Sequence, residues 1–171
     1  MSLFQRIFGE KRQRAPLLPL YRAIVGKGRA PAWYRQGQVP DSLDGRFDMI
    51  AAILSLVLLR LETEGESGKG SSVLLTEIFI ADMDATLRQL GIGDYVVGKH
   101  VGRMMSALGG RLAAFRAGRE AGALGEAVTR NVFHEAPPST EAVAFVADGL
   151  ERFAAALDST PIAGVLGGHL P

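Results

Sequence analysis

The sequence predicts an all-α fold: a single-domain, compact helical bundle of about five to seven helices with a basic amphipathic N-terminal arm. Three observations carry that expectation. Apolar residues recur at spacings of three and four through several long segments. No segment alternates apolar and polar residues as a half-buried strand would. Clusters of Gly and Pro separate the periodic segments. The length of 171 residues suits one domain with an ordinary core, and 47% apolar with 22% charged residues is the composition of a folded soluble protein.

Residues 1–15 read as the arm. Leu3, Phe4, Ile7 and Phe8 fall at helical spacing beside Arg6, Lys11, Arg12 and Arg14. Such a segment can dock on anionic lipid, on a partner, or back onto the protein body. The net charge of +1 conceals this asymmetry: residues 1–35 hold eight Lys and Arg against Glu10 alone. A basic start on a mildly acidic body is the result.

Residues 16–160 read as the helical domain. Leu20–Lys27 forms a short helix that Gly26 and Gly28 end. Ala30–Gly45, punctuated by Pro31 and Pro40, reads as an ordered loop whose Trp33 and Tyr34 rings pin it to the core. From Arg46, Phe47, Ile50, Leu54, Val57 and Leu61 mark a helix that is apolar nearly all round, as a central buried helix is. Asp44 or Asp41 supplies its N-cap.

Residues 65–72, GESGKGSS, read as a flexible polar connection. A second long helix covers Val73–Leu90, with Gly91 just past its end. A third runs from Asp94, a fitting N-cap, to Gly118. Glu120–His134 and Ser139–Leu157 complete the set, divided by Pro137-Pro138. In the third, Gly98, Gly102, Ser106, Gly110, Ala114 and Gly118 recur every fourth residue. Small residues at that spacing admit a neighbouring helix backbone, and close internal packing is the expectation here, with a groove for a client helix as the alternative. Residues 161–171, PIAGVLGGHLP, form a Gly- and Pro-containing tail.

Few function classes survive this reading. No cysteine is present, so disulfides and thiolate metal sites are excluded. Met49–Leu59, the longest apolar run, is too short to span a bilayer, which takes about 20 residues. The N-terminus lacks the long apolar region of a secretory signal, although its arginines leave a short mitochondrial presequence open. His100, His134 and His169 show no metal-ligand spacing. Asp82 and Asp84, two apart on a helix, point in different directions. Gly91-Ile92-Gly93 has no preceding strand and no Gly-Lys-Ser/Thr ending, so it is not a phosphate loop. Neither a nucleophile elbow nor a nucleic-acid motif occurs. The expectation is a protein that is not an enzyme, needs no cofactor and binds no specific DNA.

The stretch LRQLGIGDYVVGKH, Leu87–His100, reads from its chemistry as a glycine turn between two helices, with Asp94 capping the second. It belongs to a larger pattern. Leu20-Tyr21, Arg29, Tyr34, VPDSLDGRFDM from Val39 and DMDATLRQLGIGDYVVGKHV from Asp82 occur in an order and spacing that resembles the ubiquinol–cytochrome c reductase assembly chaperones. The resemblance covers roughly Leu20 to Phe115.

That resemblance implies an all-helical, non-enzymatic chaperone whose client is newly made cytochrome b. It also implies a second assembly factor, the ribosome exit region as a further contact, and peripheral contact with a membrane. The residues it marks for partner contact are Tyr34, Asp41, Arg46, Arg88, Asp94, Lys99 and Arg103. Arg88 has a local alternative, an ion pair with Asp84 one helical turn earlier. The implied setting is the cytoplasmic face of a bacterial inner membrane, with a mitochondrial one as the alternative. A different class stays open beside this one, a ribosome- or membrane-peripheral adaptor without a folding role. A haem-binding protein ranks third.

Overall fold

Residues 15–89, 94–134 and 136–171 are described by the structure, a computed structural model, with side chains for all of them except 87, 94–101, 103 and 104. Among these residues there is no strand, and the all-α expectation holds. The arm residues Leu3, Phe4, Arg6, Ile7, Phe8, Lys11, Arg12 and Arg14 lie outside the described residues, as does the Gly91-Ile92-Gly93 turn.

Helix α1 spans Leu18–Gly28, after a single 3-10 turn at Ala15–Leu17. Pro19 sits in its first turn, where a missing N–H leaves nothing unpaired. Gly26 lies inside the helix instead of ending it. Gly28, the last residue, has a packing role: a Cβ there would lie 2.8 Å from the Ile50 Cα. Its absence lets α1 press against the next long helix. The expected loop Ala30–Gly45 contains a further short helix, α2, over Pro31–Arg35.

Helix α3, Leu43–Glu62, is the centre of the molecule, in contact with α1, α4, α5 and α7. Every residue from Met49 to Leu61 is buried, and each large aliphatic side chain so placed is worth roughly 1.5–3 kcal/mol of transfer free energy. Its cap is neither Asp44 nor Asp41. Ser42 Oγ accepts the Gly45 N–H at 3.1 Å, while Asp44 lies in the first turn and Asp41 is engaged with Arg46.

The polar stretch 65–72 is helical, contrary to its composition. Gly65, at φ +60°, alone reverses the chain, and α4 runs from Glu66 to Gln89. Gly68 is not a flexible joint, since a Cβ there would sit 2.0 Å from the Leu61 carbonyl oxygen. Close approach of α4 to the end of α3 outweighs the poor helix propensity of Gly and Ser.

Helix α5, Asp94–Ala121, extends past the expected Gly118. Gly122, at φ +68°, ends it with the Ala123 N–H donating to the Gly118 carbonyl and the Gly122 N–H to that of Arg119. This paired C-terminal motif breaks the expected Glu120–His134 helix. Only Gly125–Asn131 remains as α6. Helix α7, Thr140–Ser159, begins where expected, with Ser139 Oγ accepting the Ala142 N–H. A short α8, Ile162–Leu166, buries Val165 and packs on α1.

The small-residue stripe of α5 departs most from expectation. Gly102 and Gly110, and Gly109 beside the stripe, have open space where a Cβ would stand, so no helix backbone among the described residues approaches them. Gly118 alone of the described glycines in the stripe is closely packed, against Ala123 and Leu124. Met105 on the same helix is 45% exposed.

Candidate functional site

Three of the residues marked in the sequence come together in space. Tyr34 on α2, Asp41 in the following loop and Arg46 in α3 line one open concavity of about 320 Å³, completed by Arg29, Pro31 and Arg35. Its frame is set by two ring anchors. Trp33 is 6% exposed and its Nε1–H donates to the Lys27 carbonyl at 2.8 Å. Its ring lies against Gly149, where a Cβ would come within 2.7 Å. Tyr34 donates its hydroxyl to the Gly28 carbonyl at 2.7 Å. Two last-turn carbonyls of α1 are thereby satisfied, and α2 is clipped across the end of α1. The expected pinning role of the two rings is correct, and both turn out to act through α1.

The rest of the loop follows from these anchors. The Val39 N–H donates to the Trp33 carbonyl at 3.0 Å, and Gln38 takes a left-handed φ of 53°. Gly37 sits so near the Trp33 carbonyl that a Cβ would be 2.6 Å away. The chain then reaches Asp41, which accepts from Arg46 Nε at 2.6 Å. That hydrogen bond holds the Asp41 carboxyl below its ordinary range. Burial pushes the Tyr34 phenol up, against the pull of Arg46 and Arg29. Arg29 and Arg35 form no ion pair among the described residues, and both are exposed.

Arg88 is placed elsewhere. Its Nε donates to Asp84 Oδ2 at 2.8 Å, so the local alternative is realised. Asp94, Lys99 and Arg103 lie on α5, and their side chains fall outside the described ones. Nothing brings Arg88 into the Tyr34 concavity.

A buried ion network escaped the sequence reading. Asp48, 2% exposed on α3, pairs with Arg111 of α5, itself 7% exposed. His134, at φ 49° after α6, brings its Nε2 to 2.7 Å from the other carboxylate oxygen. The His134 ring is thus exposed yet tied to the core. Burial pushes the Asp48 carboxyl up, and Arg111 and then His134 act in the opposite sense. Arg60 is the second buried cation: its Nε donates to the Leu157 carbonyl near the end of α7 at 3.2 Å. A cation is well matched to the negative end of a helix.

No group of three or more His, Asp or Glu is placed to hold a metal among the described residues. No described helix is long and apolar enough to cross a membrane.

The profile of the ubiquinol-cytochrome C chaperones matches residues 35–170. The chain belongs to that family. Its fold is similar to the crystal structure of the Cbp3 homolog from Brucella abortus, at a TM-score of 0.80 and 26% sequence identity. That likeness covers 99% of this chain and 95% of the other. No curated protein matches the sequence. As a ubiquinol-cytochrome C chaperone, the chain places half of its concavity within the family segment, through Arg35, Asp41 and Arg46, with Arg29, Pro31 and Tyr34 just ahead of it.

Proposed function

We propose that this family member is a non-enzymatic assembly chaperone that binds newly made cytochrome b and assists assembly of ubiquinol–cytochrome c reductase. The observation that carries the reading is the family match over residues 35–170, together with a fold likeness that runs through nearly the whole chain. Tyr34, Asp41, Arg46, Arg88, Asp94, Lys99 and Arg103 are its proposed partner contacts. The arm, through Leu3, Phe4, Ile7, Phe8 and its basic residues, is its proposed membrane or partner contact. A second assembly factor and the ribosome exit region complete the proposed set of partners. The proposed setting is peripheral, on the cytoplasmic face of a bacterial inner membrane.

Deleting the gene and reading cytochrome b and assembled complex III by haem difference spectra tests this. Loss of both, restored by the wild-type chain, and co-purification of cytochrome b with the tagged chain are the expected results. Normal levels of both would overturn the reading and leave the adaptor in its place.

A further inference from the structure

We propose that the concavity between Arg29, Tyr34, Arg35 and Arg46 is a binding site for a phosphate-type oxyanion. Three arginines line it from three separate pieces of chain: Arg29 follows α1, Arg35 ends α2 and Arg46 stands in α3. Among the described residues Asp41 is its one acidic lining residue, so the lining carries two positive charges over. Like charges gathered on one concave wall repel each other, and a bound dianion offsets both.

The arrangement is partly pre-set. Asp41 takes Arg46 by its Nε at 2.6 Å and so fixes that guanidinium, while its two terminal nitrogens have no partner among the described residues. Arg29 and Arg35 have none either. Planar guanidinium forks match phosphate oxygens in pairs, which a lysine cluster does not do. The hydroxyl hydrogen of Tyr34 is committed to the Gly28 carbonyl. Tyr34 therefore forms a wall and donates nothing to the anion. A single carboxylate would leave one charge over. The volume of about 320 Å³ accommodates a phosphoryl group together with what it is attached to.

The phosphate can come from a lipid headgroup or from a soluble ester, and one set of measurements separates the two. The full chain is titrated calorimetrically with inorganic phosphate, and floated with phosphatidylcholine vesicles with and without phosphatidic acid, whose phosphomonoester headgroup can carry two negative charges. The same is done for the double variant Arg29→Gln/Arg35→Gln, which breaks no ion pair, and for Arg22→Gln, exposed on α1 outside the concavity. Wild type and Arg22→Gln should bind phosphate, and the double variant should bind at least about tenfold more weakly per arginine.

If phosphatidic-acid-dependent flotation falls with it, the ligand is a lipid headgroup. If flotation is unchanged while phosphate binding falls, the ligand is a soluble phosphate ester. No phosphate binding by wild type, equal binding by the double variant, or arginine-dependent binding of oligo-glutamate without phosphate binding would each overturn the proposal. The site shares Tyr34, Asp41 and Arg46 with the proposed partner contacts, so cytochrome b capture by the double variant is measured separately: loss of phosphate binding with capture intact separates the two.

Discussion

Arg111 on α5 and Asp48 on α3 form an ion pair whose side chains are only 8% and 3% exposed. The guanidinium also lies over the Phe47 ring, 5.1 Å from its centroid, and Phe47 in turn stacks on Phe79 of α4. Arg111 Nε has no hydrogen-bond partner among the described residues. Two desolvated charges therefore stand between α3 and α5, held by each other, by His134 on the carboxylate and by a ring face on the guanidinium.

Breaking that pair from one side should be costly. Arg111→Met strands a buried carboxylate and is expected to lower unfolding free energy by about 3–5 kcal/mol. The double variant Arg111→Met/Asp48→Leu should recover most of the loss, because no buried charge remains. Urea unfolding of the wild type, both single variants and the double variant gives the coupling directly. Simple additivity of the two single losses would show that the pair does not act as a unit.

Tyr21 sets an alkaline limit. Its hydroxyl donates to Asp82 Oδ2 at 2.7 Å. Burial first, and Asp82 second, hold the phenol far above its ordinary 10.0. A raised folded value means that the stabilisation is complete below the unfolded pKa and is lost as pH rises through the folded one. Wild-type stability should therefore fall as pH climbs above 10.0. Tyr21→Phe should fall less steeply, with a residual slope from Tyr34, whose phenol is also raised. Chemical denaturation at a series of alkaline pH values reads the difference, and identical slopes would remove Tyr21 from the account.

The glycines divide into two groups with opposite expected effects. Gly28→Ala puts a Cβ within 2.8 Å of the Ile50 backbone, so α1 must shift outward. A loss of about 1–3 kcal/mol is expected, despite the better helix propensity of alanine. Gly109→Ala and Gly110→Ala meet nothing within 4 Å. Each should stabilise the isolated protein by up to about 1 kcal/mol. Thermal melts of the three variants decide it, and a destabilising Gly110→Ala would contradict the open face of α5.

Much of the architecture was readable because helix periodicity is a local signal. The face formed by Phe47, Ile50, Leu54, Val57 and Leu61 needs no knowledge of its neighbours, and Ser139 caps α7 from an adjacent position. Residues 65–72 misled because their glycines read as flexibility. Gly68 is there for contact with a carbonyl seven residues earlier, a tertiary demand that composition does not express. The N-cap of α3 failed for a related reason: Asp41 has the right chemistry but is already committed to Arg46.

At the concavity, Tyr34, Asp41 and Arg46 were found because they lie close in sequence and in the family pattern. Arg35 carried no such mark and is assigned only by position. The Asp48 network was out of reach. Its partners stand 63 and 86 residues away, and one aspartate at the edge of an apolar helix looks like a boundary.

The central position of α3 also has a consequence in time. Arg60 reaches the Leu157 carbonyl across 97 residues of sequence, so the most apolar helix of the chain is synthesised long before the last of its cover. At a ribosomal pace of about 5–20 residues per second, that gap is on the order of 5–20 s. During that window the nascent chain presents Met49–Leu61 without α7 against it. An assembly chaperone with this topology passes through its own period of vulnerability to aggregation before it can shelter anything else.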